Sequence, residues 1–122
     1  GVLTINALAA ADGVIIPTLP QAQDLRALLQ FLETVKVVQS EVNPGLRLLG
    51  ILLTFYDARL SHHRAAAEAI QAAGLPVLPV MIGRSIRVAE AAGAGQSVLT
   101  WDNGNVQAEN YRKLAEVIDN GR

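Results

Sequence analysis

The run Leu48–Phe55, with the sequence LLGILLTF, constrains the fold of this chain more than any other segment. In a strand, successive side chains point to opposite faces, and here apolar side chains occupy both faces. Strands of this kind are buried on both sides, and they belong to parallel sheets that carry helices on the two faces. The run therefore predicts a central strand in a layered α/β fold.

The rest of the chain alternates between apolar runs and segments with helical periodicity. For example, Leu25, Leu28 and Leu32 fall on one stripe of a helix. The predicted helices are Val2–Ala11, Gln21–Ser40, Ser61–Ala73 (capped by Ser61), Arg84–Ala92 and a last helix after Asn105 with Tyr111, Leu114, Ala115 and Ile118 facing inward. The predicted strands are Val14–Ile16, Leu48–Phe55, Val77–Ile82 and Ser97–Trp101. This order favours an α/β fold with an open, mainly parallel sheet and flanking helices, built as a single unit over residues 1–122.

Composition narrows the classes of function. The formal net charge of −1 gives the whole molecule no general attraction to DNA or to acidic membranes, so such contacts require a local patch. The absence of cysteine excludes disulfides, thiolate zinc sites and a cysteine nucleophile, and it favours a reducing compartment. No apolar run approaches the ~20 residues of a membrane helix. We therefore expect a cytoplasmic protein that does not bind membranes.

Four segments directly follow the predicted strands: Thr18–Gln21, Thr54–Arg59, Gly83–Ser85 and Trp101–Asn103. In open parallel sheets, ligands bind beyond the carboxyl ends of the strands. We therefore expect these four segments to share one edge of the sheet and to build any binding site.

Standard catalytic and phosphate-binding motifs are absent from the sequence. Gly93 and Gly95 start like G-x-G-x-x-G, but the last position is Val98, which favours a helix end followed by a turn. No G-x-x-x-x-G-K-[ST] loop occurs to hold β- and γ-phosphates. His62 and His63 would point about 100° apart on a helix, so we expect them to be exposed and not to chelate a metal. The chain alone is predicted to contain no catalytic residue and no metal site.

Positive charge is concentrated between residues 58 and 87. This interval contains Arg59, Arg64, Arg84 and Arg87 together with two histidines, against the single acid Glu68. A patch of this kind engages the phosphates of a nucleotide or of DNA. Arginines scattered over the surface would give the same count, so the spacing alone leaves both interpretations open.

The order of segments resembles the C-terminal half of ParA/Soj-type partition ATPases over nearly the whole chain. The matching segments are Leu3–Asp12, Val14–Pro17, Leu32–Val35, Leu49–Arg59, Arg84–Ala91 and Ala108–Ala115. Each segment is weakly specific by itself, and the specificity comes from their order and spacing. The resemblance implies the C-terminal part of a P-loop NTPase-like three-layer fold, in which the P-loop and the magnesium-binding acid lie upstream of Gly1.

This resemblance also implies a function. Members of the family are deviant Walker ATPases that bind ATP and Mg²⁺, dimerise around nucleotide and bind DNA nonspecifically. A ParB-type partner stimulates their hydrolysis, and the cycle segregates plasmids or chromosomal origins. The chain is therefore expected to contribute to the adenine pocket, the dimer face and the DNA-binding surface of a cytoplasmic, nucleoid-associated protein. By itself it is expected to be inactive and to bind no nucleotide tightly.

The resemblance also assigns site residues by position. The nucleotide-binding residues are Thr54, Tyr56, Asp57, Gly83, Arg84 and Ser85, and the DNA-binding residues are Arg59, Arg84 and Arg87. Family members usually carry proline at the position of Gly83, and often E-A-P-S-x-G where this chain has Glu90–Gly95. Loss of both prolines is expected to loosen the loop around Gly83.

Two other functions compete with this interpretation. A shortened ParA-like chain could act as a stand-alone, non-catalytic binding or assembly module that pairs with itself or with a full-length ATPase. A MinD-like membrane-site ATPase would carry a C-terminal amphipathic helix, whereas the final helix here ends in Asp119–Arg122 with few basic residues. We therefore favour the partition ATPase over the MinD-like protein.

Overall fold

Two parallel strands, β1 (Gly13–Thr18) and β2 (Arg47–Leu53), form the centre of the computed structural model, which describes residues 1–121. Ile16 pairs with Ile51, and Thr18 pairs with Leu53. The remaining elements are α1 (Val2–Ala10), α2 (Ala22–Glu41), α3 (Ser61–Ala72), α4 (Ile86–Gly93), α5 (Val98–Trp101) and α6 (Val106–Asn120). The predicted α/β fold with a parallel sheet and flanking helices is confirmed.

The ladder between the two strands contains one irregularity, which a glycine accommodates. The register shifts between Val14 and Ile15, where Leu49 is an extra residue in β2. Gly50 follows this bulge with a φ of 151°, a conformation that favours glycine. A Cβ at this position would lie 2.5 Å from the Cδ2 atom of Leu78. Gly50 therefore sets how closely the segment after α3 packs on β2.

The segment Val77–Ile82, predicted to be a strand, lies parallel to β2 but forms only part of a ladder. Its two ends form isolated bridges with Ile51 and Thr54. Four residues lie between the two bridges on this segment, whereas only two lie between Ile51 and Thr54 on the neighbouring stretch. The chain bends at Pro79 within the longer segment. The extra residues interrupt the pairing, as in a β-bulge. The prediction of a continuous strand was therefore wrong in its extent.

The predicted strand Ser97–Trp101 was wrong, because these residues form the short helix α5. The Oγ of Ser97 accepts a hydrogen bond from the Leu99 N–H at 3.0 Å and so caps the helix. Val98 is buried together with residues of α4 and α6. An apolar run this short fits a buried strand or a buried helix equally well, and here the capping serine favours the helix.

Helices cover both faces of the sheet, which gives three layers. On one face, Ile51 and Leu53 of β2 pack with buried side chains of α2 and α3. On the other face, Leu52 lies in a second cluster, and Leu114 and Val117 of α6 pack against it. The two-sided burial of β2 is the one predicted from its sequence.

Two details of the helices differ from the predictions. Leu60, not Ser61, occupies the N-cap position of α3, and it makes no side-chain cap. Tyr111 and Ala115 of α6 were predicted to face inward but are exposed, because Val117 packs on the sheet instead. Neither difference changes the position of the carboxyl ends of the strands.

The outer edge of β1 has no partner strand within residues 1–121. Thr54 donates its N–H to the Thr18 carbonyl at 3.0 Å. Along a strand, the backbone N–H and C=O groups of alternate residues point to the same edge, so those of Ile16 and Thr18 point towards β2. Pro17 lies between them and faces the outer edge. A proline at this position removes no hydrogen bond of the ladder.

Candidate functional site

A cleft of about 650 Å³ lies at the carboxyl end of β2. Two segments form its sides: residues 56–59, a loop that leads from β2 towards α3, and residues 83–87, a loop together with the first two residues of α4. We call these the α3 wall and the α4 wall. The lining residues are Tyr56, Asp57, Ala58, Arg59, Gly83, Arg84, Ser85, Ile86, Arg87 and Gln107 of α6.

Seven of the eight predicted site residues line this cleft. They are Tyr56, Asp57, Arg59, Gly83, Arg84, Ser85 and Arg87. Thr54 does not line it, because it is half-buried at the end of the sheet and its N–H bonds to the Thr18 carbonyl. Of the four predicted ligand-edge segments, the second and third meet here. Trp101–Asn103 and Thr18–Gln21 lie outside the lining, although Asp102 pairs with Arg87 of the α4 wall.

Asp57 and Arg59 form an ion pair within the α3 wall. Arg59 donates from Nε to Asp57 Oδ1 at 3.0 Å and from Nη2 to Oδ2 at 2.9 Å, and its backbone N–H donates to Oδ1 at 3.0 Å. The side-chain bonds and then the backbone bond lower the pKa of Asp57 from 3.8 to about 2. Asp57 is therefore charged at neutral pH, and it compensates the charge of Arg59.

A histidine of α3 also holds the α3 wall. The Nδ1 atom of His63 accepts a hydrogen bond from the Asp57 N–H at 2.9 Å, and its ring lies 5.9 Å from the Tyr56 ring, centroid to centroid. His62 is exposed as expected, but His63 is half-buried, so the expectation of two exposed histidines was wrong for His63. Its position six residues after Asp57, at the start of a helix, is the only sequence signal for this contact.

Side-chain amides of α6 hold the α4 wall. Gln107 Oε1 accepts the Gly83 N–H at 2.7 Å and also the Asn110 Nδ2–H at 3.0 Å. Asn105 Nδ2 donates to Ser85 Oγ at 3.4 Å. A Cβ on Gly83 would lie 2.7 Å from Gln107 Nε2, so the glycine leaves room for this amide. These contacts hold the loop at the position where family members usually carry proline, and no pattern in the sequence indicated the role of Gln107.

Acidic partners reduce the positive charge that the sequence suggested. Arg87 pairs with Glu90 at 3.2 Å and with Asp102 at 3.3 Å. Arg84 instead has its guanidinium carbon 5.9 Å from the centroid of the Phe55 ring, and it forms no ion pair with a carboxylate of residues 1–121. Phe55 is 54% exposed and has a φ of 53°, which is uncommon for a residue other than glycine.

The part of the chain that the structure describes has no group of three or more His, Cys, Asp or Glu residues that could hold a metal ion. Over the same residues, none of the helices combines the length and the apolar character needed to cross a bilayer. The cleft itself presents guanidinium groups, a side-chain amide and an aromatic ring to a ligand.

A family model described as the CobQ/CobB/MinD/ParA nucleotide binding domain matches residues 5–98 of this chain. The matched range contains β1, β2, the α3 wall and the α4 wall. Gln107 lies beyond it. The two segments that form the sides of the cleft are thus part of the recognised nucleotide-binding domain.

Curated relatives match almost the whole chain. The chromosome-partitioning ATPase Soj of Thermus thermophilus is 38% identical over 117 residues, covering 95% of this chain and 47% of that protein. The chromosome partitioning protein ParA of Caulobacter vibrioides is 38% identical over 123 residues, covering 99% and 46%. An uncharacterized protein of Mycobacterium tuberculosis is 40% identical over 121 residues, covering 98% and 38%. The chain therefore spans less than half the length of these relatives.

Solved structures share the fold. Cobyrinic acid a,c-diamide synthase from Mycobacterium smegmatis, with bound ADP and magnesium, matches with a TM-score of 0.75 and 34% identity, covering 100% of this chain and 45% of that chain. The cell division ATPase MinD of Pyrococcus furiosus matches with a TM-score of 0.75 at 21% identity, covering 97% of this chain and 46% of that chain, which supports the fold alone. The predicted P-loop NTPase-like architecture is confirmed by these likenesses.

Proposed function

Since this chain belongs to the CobQ/CobB/MinD/ParA nucleotide-binding domain family, we propose that it supplies the C-terminal part of a ParA-type partitioning ATPase. The cleft forms the adenine pocket, and arginines around it contact DNA without sequence specificity. The observation that carries the proposal is the convergence of the α3 wall and the α4 wall at the carboxyl end of β2, where ligands bind in α/β folds. Relatives named as chromosome-partitioning proteins support DNA segregation as the process.

The cleft has surfaces suited to a purine base. Tyr56 offers an aromatic side chain, and Arg84 adds a guanidinium plane that stacks on rings. Gly83 lines the cleft as well, with its N–H held by Gln107. The ADP and magnesium in the related synthase support ATP or ADP with Mg²⁺ as the cofactor of the complete protein. Residues of this chain would hold the base. The sequence contains no Walker A loop for the β- and γ-phosphates, so we expect weak binding and no turnover by these 122 residues.

The distribution of charge makes Arg84 the leading DNA contact. Arg59 is paired with Asp57, and Arg87 is paired with Glu90 and Asp102, so the charges of both are compensated. Arg84 has no carboxylate partner within residues 1–121, so its charge is available to a phosphate.

A homodimer and a ParB-type partner complete the proposal. Relatives named as chromosome-partitioning proteins support partners of this kind. The assembly would act in the cytoplasm on the nucleoid, to segregate a chromosome or a plasmid.

DNA binding is tested with Arg84→Gln, Arg59→Gln and Arg87→Gln variants of the 122-residue chain. Fluorescence anisotropy with a duplex of random sequence gives the affinity at several salt concentrations. Arg84→Gln should weaken binding most and should reduce the slope of log K against log salt by about 1. Equal effects of the three variants would contradict the role of Arg84, and a parent chain that does not bind DNA would remove this part of the proposal.

Nucleotide binding is tested by an NMR titration of the same chain with ATP and Mg²⁺. We expect amide shifts confined to the α3 wall and the α4 wall. GTP with Mg²⁺ is the matched control, because it differs only in the base. Equal shifts with both nucleotides, or shifts elsewhere, would contradict an adenine pocket in this cleft.

A stand-alone binding or assembly module is the second candidate, and the high apolar content of the sequence, 51% hydrophobic residues, is consistent with it. The intact mass of the natural gene product separates the two functions. A mass near 12.9 kDa favours the module, whereas a much larger mass favours the ATPase. Monomeric behaviour of the short chain in sedimentation at high concentration would contradict the module.

A further inference from the structure

One histidine connects α3 to the α3 wall of the cleft. The Nδ1 atom of His63 accepts a hydrogen bond from the Asp57 N–H, with 2.9 Å between the two nitrogens. The imidazole is half-buried, and its ring lies near that of Tyr56. Its sequence neighbour His62 is exposed, so the chain contains a matched control at the adjacent position.

The contact fixes the middle of the α3 wall. Asp57 holds Arg59 through its carboxylate, so the anchoring of the Asp57 backbone also places the Arg59 guanidinium. Arg64 of α3 adds a second contact, because its Nη1 donates to the Ala58 carbonyl at 2.6 Å. We infer that His63 is a positioning residue of the cleft: its neutral imidazole holds the α3 wall in place, and protonation of His63 releases this contact.

The hydrogen bond requires one tautomer of the imidazole. Nδ1 acts as an acceptor only when the ring proton is on Nε2, and a protonated imidazole donates from both nitrogens. Protonation of His63 would therefore set a ring N–H against the Asp57 N–H, and two donors that face each other form no hydrogen bond. Histidine is the side chain that ordinarily changes charge between about pH 5 and 8, which sets the interval to examine.

The charged and titratable groups around this imidazole are Tyr56, Asp57, Arg59, His62 and Arg64. The Asp57 carboxylate already accepts two side-chain bonds from Arg59, so it has a partner other than a protonated imidazole. The same bonds lower the pKa of Asp57 to about 2, so Asp57 keeps its charge from pH 8 to pH 5. A change in the α3 wall over this interval is therefore caused by a histidine.

The consequence for ligand binding rests on the proposed function, because the identity of the ligand is taken from it. With a neutral His63 the α3 wall keeps its place beside a nucleotide, and with a protonated His63 it loses one of its contacts with α3. A protonated imidazole also adds a positive charge that attracts phosphate. The position of the wall, not the affinity for nucleotide, is therefore the decisive measurement.

The test is NMR spectroscopy of the ¹⁵N-labelled 122-residue chain and of its His63→Asn and His62→Asn variants. The oxygen of an asparagine side chain lies near the position of Nδ1 and does not titrate. Long-range ¹H–¹⁵N spectra at pH 7.5 should show His63 with its proton on Nε2. Between pH 7.5 and 5.5 the protection factor of the Asp57 N–H should fall about fivefold in the parent and in His62→Asn, and should stay constant in His63→Asn.

Three results would overturn the inference. They are a His63 proton on Nδ1 at pH 7.5, a protection factor of Asp57 that is independent of pH in the parent, and an equal fall in His63→Asn. His63→Leu removes the acceptor and should show low protection at both pH values. If this variant does not fold, the tautomer of His63 in the parent and the comparison with His63→Asn still test the inference.

Addition of ATP and Mg²⁺ to the same samples separates this inference from the proposed function. The absence of shifts at both walls would count against the nucleotide pocket. The tautomer and the pH dependence of the Asp57 N–H would still be measured in the free chain, so they would support or overturn the role of His63 independently.

Discussion

The α3 wall and the α4 wall face the same cleft, but different chemistry holds them. The α3 wall depends on groups that carry or acquire charge, namely the imidazole of His63, the carboxylate of Asp57 and the guanidinium of Arg59. At Gly83 the α4 wall depends on a neutral amide, since Gln107 accepts the Gly83 N–H, and at its other end Arg87 pairs with Glu90 and Asp102. The backbone of the α3 wall is therefore held by an imidazole, and the backbone at Gly83 by an amide that does not titrate.

The two walls also differ in their connection to the sheet. The α3 wall directly follows β2, which forms a ladder with β1. The α4 wall follows the segment Val77–Ile82, which is joined to the sheet by only two isolated bridges. A disturbance between this segment and β2 should therefore move the α4 wall more than the α3 wall.

Gly50→Ala should have the largest effect on stability, and it should change the two walls to different extents. The new Cβ would lie 2.5 Å from Leu78 Cδ2 and 3.0 Å from the Pro76 carbonyl oxygen, at a φ that strains any residue with a side chain. We expect the free energy of unfolding in urea to fall by about 3 kcal/mol. Amide shifts should change more over residues 83–87 than over residues 56–59. Gly45→Ala is the control, because its Cβ would meet no atom closer than 3.7 Å, and equal shifts in both walls would contradict their independence.

Gln107→Leu should have the next largest effect and should act on the α4 wall. It removes the acceptor for the Gly83 N–H and for Asn110 while it keeps a side chain of similar size. The free energy of unfolding should fall by about 1–2 kcal/mol, and by the same amount at pH 7.5 and pH 5.5. Gln71→Leu, at an exposed position of α3, is the control. A loss that depends on pH would contradict the neutral character of this contact.

Phe55→Gly should have a smaller effect on the free energy of unfolding, and it should raise this free energy instead of lowering it. Glycine adopts the φ of 53° at this position without the strain that a side chain causes. We expect the free energy of unfolding to rise by up to about 1 kcal/mol. The Arg84 guanidinium loses the ring beside it, so DNA affinity should fall at the same time. A less stable variant would show that Phe55 contributes more by packing than it loses by strain.

Asp57→Asn should have the smallest effect, and its pH dependence should differ from that of His63. Because Arg59 lowers the pKa of Asp57 from 3.8 in the unfolded chain to about 2 in the fold, the charged carboxylate stabilises the fold above about pH 4. This contribution is lost as the pH falls towards 2. Thermal unfolding should therefore show a less stable variant at pH 6 and a difference that shrinks as the pH falls through about 2, the folded-state pKa of Asp57. A difference of the same size at pH 6 and at pH 2 would exclude the bond with Arg59 as its origin.

Long elements of the fold were predictable from the sequence because their patterns extend over many residues. The apolar stripe of α2 and the two-sided apolar run of β2 each have one interpretation. The runs Val77–Ile82 and Ser97–Trp101 are short, and periodicity cannot separate a strand from a helix or detect a bulge within so few residues. Both strand predictions that needed correction fall on these short runs.

The position of the cleft was predictable because its walls directly follow strand segments, whereas the partners of its residues were not. Gln107 lies 24 residues after Gly83 and on a different element. Asp102, the residue after α5, pairs with Arg87, so the count of arginines along the chain exceeds the charge that is free in the fold. Contacts of this kind depend on how helices pack, and local sequence patterns do not record them.

The proline of β1 has a consequence for the behaviour of the chain at high concentration. An unpaired strand edge is a template for pairing between molecules, which leads to aggregation. At the outer edge of β1, Pro17 offers no N–H to an incoming strand, so a second molecule cannot extend the sheet there with a continuous ladder. Pro17 therefore protects the chain against aggregation through this edge without weakening the pairing of β1 with β2.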